Sequence, residues 1–124
     1  MAAPNIVNVT TITGKTTYAA LTTTLTSVLL ANSASSGKVF KINSIMVSNV
    51  DGTNSADVTI DINTAAAGSG TSYALANTIA VPADATLSLI DKTNSFYLEE
   101  DKSIIGGASA NSDLEIVISY EEIS

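Results

Sequence analysis

The sequence contains no cysteine, no histidine, no arginine and no tryptophan. Without cysteine, the chain can form neither disulfides nor thiolate metal sites, and it has no thiol nucleophile. Without histidine, it lacks the usual general base and the commonest metal ligand near neutral pH. We therefore expect a protein that is not an enzyme, with no catalytic residues and no cofactor.

Positive charge is also scarce. Five lysines stand against twelve acidic residues, which gives a net charge of −7, and aromatic residues make up only 5% of the chain. Proteins that bind nucleic acids use Lys or Arg to neutralise phosphates and aromatic rings to stack on bases. The composition therefore predicts that nucleic acid is not a partner.

The chain has no run of eighteen apolar residues, which a membrane-spanning helix would need. Its first residues, Met1-Ala2-Ala3-Pro4, lack the positive region and the apolar stretch of a secretory signal. We therefore expect no membrane association, and we expect the protein to be made and assembled in a cytoplasm.

Small and β-branched residues are abundant instead. Thr, Ser and Ala together account for about two-fifths of the chain, and 45% of it is hydrophobic, so the sequence is not typical of a disordered protein. Its 124 residues fit a single domain. A Thr-rich surface with few charges favours packing against copies of the same protein.

The clearest pattern spans residues 39–63, where two β-branched runs flank Asp51-Gly52-Thr53-Asn54. In the second run Val58, Ile60 and Ile62 alternate with polar residues, as in a strand with one buried face. Asp-Gly between two such runs is a strong hairpin signal. We therefore predict a β-hairpin here and place it at the centre of the fold.

Further strand-like segments recur every 8–12 residues, a spacing typical of sandwiches, jelly rolls and barrels. Residues 6–13 are predicted as a strand that ends in a turn at Gly14-Lys15. Residues 16–31 are predicted as a strand, with a short helix as the alternative, and residues 64–71 as a mobile, exposed tip. The remaining predicted strands are 73–81, 86–90, 95–98, 103–105 and 114–120.

These patterns predict an all-β, single-domain antiparallel β-sandwich that is jelly-roll-like and has about eight strands. Residues 1–13 would be an N-terminal arm or first strand, and residues 14–124 the sandwich domain. Pro4, Ile6, Val7 and Val9 are the candidate inter-subunit residues, because an extended terminus can add a strand to an exposed sheet edge. The alternative is that the arm completes its own sheet.

Only one metal site suggests itself. Asp51 and Asp57 belong to a segment with oxygen ligands at alternate positions, as in calcium-binding loops. The segment lacks the central Gly and the bidentate Glu of such loops, and a turn accounts for the same residues. Asp51 and Asp57 are therefore a weak calcium candidate, and otherwise no metal is expected.

Three segments together carry a resemblance to a known group of proteins. They are GKVFKINSIMVSNVDGTNSADVTIDI (37–62), IAVPADATLSLIDKTNSFYLEEDKSI (79–104) and ASANSDLEIVISYEEIS (108–124). The chain resembles the small β-sandwich virion proteins of tailed bacteriophages, especially those of marine cyanobacterial phages, over somewhat more than half of its length. Related proteins often have Glu-Gly-Asp where this chain has Glu99-Glu100-Asp101, which makes the turn there less tight.

The resemblance implies a non-enzymatic virion structural protein. The expected role is capsid decoration: a cement protein, commonly a homotrimer, that clamps the major capsid protein on the outer surface of the particle. One alternative is a protein associated with the tail, neck or fibre. Another is a module that binds a host receptor or glycan, for which Tyr18, Tyr73 and Tyr97 are the candidate contacts.

Overall fold

A computed structural model describes residues 7–124, and strands are the only regular secondary structure that those residues form. None of the described residues belongs to a helix that is long and apolar enough to cross a membrane. The strands are β1 (Ile12–Ala20), β2 (Val28–Asn32), β3 (Val39–Asn49), β4 (Ala56–Asn63), β5 (Ser72–Val81), β6 (Thr86–Ile90), β7 (Phe96–Leu98), β8 (Lys102–Ala108) and β9 (Leu114–Ile123).

The strands form two antiparallel sheets that have the connectivity of a jelly roll. One sheet has the order β1-β9-β3-β6, with β7 also on β3, and the other has the order β2-β8-β4-β5. Because β6 and β7 pair with the same edge of β3, they act as one interrupted strand. The chain is thus folded like one long hairpin whose tip is the β4–β5 connection. Successive strand pairs of this hairpin lie alternately in the five-stranded and the four-stranded sheet. This is the strand order of a jelly roll, and it confirms the predicted fold.

The core lies between the two sheets and is mostly aliphatic. Along β9, Leu114, Ile116 and Ile118 are fully buried while Glu115 is exposed, which is the predicted alternation. At one end of the core the rings of Phe40 and Tyr120 pack with their centroids 5.1 Å apart. Each such buried side chain contributes about 1.5–3 kcal/mol from the removal of apolar area from water.

The predicted hairpin at residues 51–54 is wrong. The strands on either side of it do not pair, because β3 belongs to the five-stranded sheet and β4 to the other sheet. Residues 50–55 therefore carry the chain from one sheet to the other. Gly52 does not have a positive φ, although a tight two-residue hairpin would need one. The pattern located the two strands correctly, but alternation reports which face is buried and not which strand is the partner.

The predictions for the strand ends near the N-terminus are also wrong. No turn occurs at Gly14-Lys15, because β1 runs straight through both residues. Residues 13 and 14, where the N-terminal arm was expected to meet the sandwich domain, both lie inside this strand. The segment 16–31 is neither one strand nor a helix. It contains the end of β1, a non-helical connection at 21–27 and then β2, which lies in the other sheet.

Three buried asparagines lie at the last positions of consecutive strands, and two of them tie the sheets together. Asn49, at the end of β3, donates its side-chain NH₂ to the carbonyl oxygens of Asn54 (3.0 Å) and Val81 (2.9 Å), and its Oδ1 accepts from the backbone N–H of Asp51. Val81 ends β5, so this amide joins one sheet to the other.

Asn32, at the end of β2, makes the equivalent link from the four-stranded sheet to the five-stranded sheet. Its side-chain NH₂ donates to the carbonyl oxygens of Lys38 (2.9 Å) and Leu98 (3.1 Å), and Leu98 ends β7 in the five-stranded sheet. Asn63, at the end of β4, instead holds the loop that follows it, because its Oδ1 accepts from the backbone N–H groups of Ala65 and Gly70. These side chains thus bond backbone groups of the loops and, for Asn32 and Asn49, of the last residue of a strand in the facing sheet.

We predict that Asn49→Ala lowers the free energy of unfolding by about 3 kcal/mol, because it leaves buried backbone groups without partners. Asn54→Ala is the matched control, since the Asn54 side chain is exposed and only its backbone oxygen bonds Asn49; we expect a loss under about 0.5 kcal/mol. Urea unfolding followed by circular dichroism measures both values. Equal losses of unfolding free energy in the two variants would mean that the buried Asn49 side chain stabilises the fold no more than the exposed Asn54 side chain does.

Candidate interaction surface

The outer face of the four-stranded sheet is largely covered by the chain itself. A Cβ on Gly107 would lie 2.6–2.7 Å from the backbone oxygens of Thr24 and Thr22, so the connection 21–27 packs directly on β8. The β4–β5 loop (64–71) also folds back onto this sheet, where Ser103 Oγ donates to the Ala65 carbonyl oxygen at 2.7 Å. Ile105 is consequently only 1% exposed, although it lies outside the main core cluster.

The loop 64–71, which was predicted to be a mobile, exposed tip, is thus held by specific bonds. Besides the bond from Ser103, the backbone N–H of Ala66 donates to Asp101 Oδ1, and the loop is closed by a bond from Thr64 N–H to the Thr71 carbonyl oxygen. Its small residues allow a close approach to β8, because a Cβ on Gly68 would lie 3.3 Å from Ile105.

The outer face of the five-stranded sheet carries an exposed apolar row. The strand register places Tyr18 beside Val117, Val117 beside Met46, and Met46 beside Ser88. Tyr18 is 76% exposed and Met46 is 41% exposed. The three apolar residues of this row, Tyr18, Val117 and Met46, lie on three strands that are far apart in the sequence.

The rows on either side of the apolar row contain small and polar residues. One contains Thr16, Ser119 and Ser44, and the other contains Ala20, Glu115, Ser48 and Thr86, in which Ser48 Oγ and Thr86 Oγ1 are hydrogen-bonded at 3.0 Å. A shallow depression of about 290 Å³ lies between β1 and β9 beside Tyr18. Such a face suits contact with another protein, because little charge has to be desolvated.

An ion-pair cluster joins β1, β9 and the residue before β3 at one end of the sandwich. Glu122 Oε1 lies 2.7 Å from Lys38 Nζ, and Glu122 Oε2 lies 3.0 Å from Lys15 Nζ. The bonds from Lys38 and Lys15 lower the pKa of the Glu122 carboxyl below its ordinary value of 4.5. The Glu122 side chain is only 15% exposed, so it is the enclosed member of the cluster.

The two candidate calcium residues, Asp51 and Asp57, make hydrogen bonds within the protein, Asp51 in a turn and Asp57 in a strand. Asp51 Oδ1 accepts from the backbone N–H groups of Thr53 (2.8 Å) and Asn54 (3.3 Å), and these bonds lower the pKa of the Asp51 carboxyl. Asp57 lies in β4, where its backbone exchanges hydrogen bonds with Ser109. Among residues 7–124, no group of three or more acidic side chains is placed to bind a metal ion.

The candidate interface residues are only partly placed by the structure. Pro4 and Ile6 lie outside the described residues, whereas Val7 is exposed and Val9 is half-buried. Directly after them, the backbone N–H groups of Thr10 and Thr11 both donate to the Ser124 carbonyl oxygen. The chain thus runs beside its own C-terminus before β1 begins, and the role of these four residues between subunits stays a prediction.

No protein-family model and no curated protein sequence matches this chain.

We predict that the Glu122 cluster makes the free energy of unfolding depend on pH in the acid range. Because folding lowers the pKa of Glu122, its stabilising effect is complete above pH 4.5 and is lost as the pH falls through the lower, folded value. Glu122→Gln should therefore be less stable than the wild type at pH 7, and this difference should shrink below pH 4.5. Thermal unfolding from pH 7 to pH 3 measures it.

Glu115→Gln is the matched control for this measurement. Glu115 lies on the same strand but is exposed, and none of the ion pairs among residues 7–124 includes it. If both variants gave the same pH profile, the ion pairs of Glu122 would not be the cause.

Proposed function

We propose that this chain is a non-enzymatic structural protein of a bacteriophage virion, and that it decorates the outside of the capsid shell. The observation that supports the proposal best is the combination of a jelly-roll strand order with an uncovered, weakly charged sheet face. The decoration protein would bind the major capsid protein with this face and stabilise the shell.

The fold supports a structural role because jelly rolls are recurrent building blocks of viral particles, although lectins and cupins use them too. The segments at 37–62, 79–104 and 108–124, which resemble phage virion proteins, contain four of the nine strands completely (β3, β6, β7 and β9) and parts of β4, β5 and β8.

The surface supports the same role in physical terms. The apolar row of Tyr18, Val117 and Met46 would supply the centre of a contact, and the surrounding Ser and Thr residues would supply its polar rim. The net charge of −7 suits a protein on the outside of a particle, because like charge keeps particles apart.

A host-binding module is the second candidate, and one observation favours it. Tyr18, Tyr73 and Tyr97 are all exposed, as aromatic residues in carbohydrate-binding and receptor-binding surfaces are. Tyr73 lies on the edge strand of the other sheet, so the three rings do not share one face. A protein at the tail, neck or fibre would bind tail or neck proteins instead of the major capsid protein, and it would be present in few copies.

We predict that purified virions contain this protein in numbers comparable to the major capsid protein. Decoration requires this, because each site on the shell repeats with the capsid lattice. Quantitative mass spectrometry with isotope-labelled peptides gives the ratio directly. A count of three, six or twelve copies per particle would instead place the protein at a vertex or along the tail, and would contradict decoration.

We also predict that Met46→Glu abolishes binding of the purified protein to capsids that lack it, because it puts a charge into the centre of the apolar row. Val50→Glu is the matched control: Val50 is also an exposed apolar residue (53%), but it lies in the connection between the two sheets. Co-sedimentation with shells measures binding. Equal loss in both variants, or in neither, would contradict the assignment of this face.

A further inference from the structure

The outer edge of β1 presents backbone groups without a strand partner among residues 7–124. Thr11 exchanges both backbone hydrogen bonds with Ser124 (2.9 Å each), and Leu21 N–H donates to Leu114 O at 2.8 Å. The register between these points has no shift. Odd-numbered residues of β1 therefore direct their N–H and C=O groups towards β9, and the even-numbered residues direct theirs outwards.

The other three sheet edges are protected in ways that natural proteins commonly use. The edge strand β2 has five residues and a register shift, and β5 has two register shifts where it pairs with β4. On the far edge of the five-stranded sheet, β6 and β7 are separated by residues 91–95. β1 has none of these features, since it is nine residues long and regular, and Lys15 is its one charged residue.

We propose that β1 pairs with β1 of a second copy of this chain, in antiparallel orientation about a twofold axis at Thr16. The two five-stranded sheets would then join into one continuous sheet. This inference stands on the strand edge alone and does not rest on the proposed role in a virion.

The register follows from the strand itself. Thr16 is the midpoint of Ile12–Ala20, so pairing Thr16 with its own copy is the antiparallel arrangement that uses all nine residues. Thr16 also directs its backbone groups outwards, so the pair across the axis exchanges two hydrogen bonds, and so do the pairs of Gly14 with Tyr18 and of Ile12 with Ala20. Ten intermolecular hydrogen bonds result from five outward-facing residues on each chain.

The side chains are compatible with this register on both faces. On the outer face, Tyr18 of each copy lies opposite Gly14 of the other, so the exposed ring covers bare backbone, a pairing known to stabilise strand glycines. On the inner face, Lys15 lies opposite Thr17. A register centred on Lys15 would place two lysines directly opposite each other and would leave Ala19 and Ala20 unpaired, which is unfavourable.

The pairing would double the apolar row, because the rows that contain Tyr18 in the two copies lie on the same face of the joined sheet. It also predicts an even number of subunits, whereas the resemblance to phage proteins implies a trimer. The two expectations are therefore distinguishable by mass.

Light scattering of the purified full chain after size exclusion should give twice the chain mass of 12.7 kDa. Thr16→Pro should give a single chain mass, because proline removes an outward N–H and no bond to β9. Thr16→Val keeps this N–H and the branched side chain, and it should remain a dimer. A wild type that is monomeric or trimeric, or a Thr16→Pro protein that remains a dimer, would overturn the proposal.

Circular dichroism checks that the proline variant is folded. If it is not, Thr16→Lys decides the question, because it places two charges at the axis without changing the backbone, and the proposal requires it to be a monomer. The melting temperature of the wild type should rise with protein concentration, and that of the monomeric variant should not.

Cross-linking tests the position of the axis. The chain has no cysteine, so Thr16→Cys provides one thiol per subunit, and a short bismaleimide should convert it to a covalent dimer. Ser88→Cys is the control, since Ser88 is exposed on the same face but lies at the opposite edge of the sheet. Cross-linking of both variants to the same extent, or of the control alone, would contradict pairing through β1.

Discussion

The fold depends on satisfying backbone polar groups where the chain leaves one sheet for the other. In a wrapped hairpin most connections are crossings of this kind, and a crossing has no strand ladder to pair with. Asn32 and Asn49 supply the missing partners, each from the end of a strand and each with a bond to the facing sheet. Among residues 7–124, no buried side-chain nitrogen or oxygen lacks a hydrogen-bond partner.

Alternation in the sequence was sufficient to predict an all-β sandwich and most strands, including β5 and β6 nearly to the residue, and β9 from its first residue but three residues too short. It could not assign strands to sheets, because the burial of every second residue is the same whether the next strand pairs or crosses over. The Asp51-Gly52 turn therefore indicated a hairpin that does not exist. Gly106 and Gly107 looked like the end of a strand, but they lie inside β8, where neighbouring backbone leaves no room for a Cβ.

The candidate surface could be predicted only in part. The sequence indicates that Val117 lies on the non-core face of its strand, since it alternates with Ile116 and Ile118. Its neighbours Met46 and Tyr18 are about 70 and 100 residues away along the chain, and only the register brings the three together. The buried asparagines carry one local signal in the sequence, because each of them ends a strand-like segment and precedes a loop rich in small and polar residues.

The outer face of one sheet is covered by the chain itself and that of the other sheet is not, and the path of the chain explains this difference. The connection 21–27 and the loop 64–71 both fold over the four-stranded sheet, so its outer face is closed by the chain itself. No equivalent loop among the described residues covers the apolar row on the five-stranded sheet, and β1, the strand at its edge, has β9 as its one neighbour. Such an edge strand gains little from the core, because only Thr17 is even half-buried. Its backbone ladder to β9 and the bond from Lys15 to Glu122 hold it in place, so a second strand on its free edge would add the support that the core does not give.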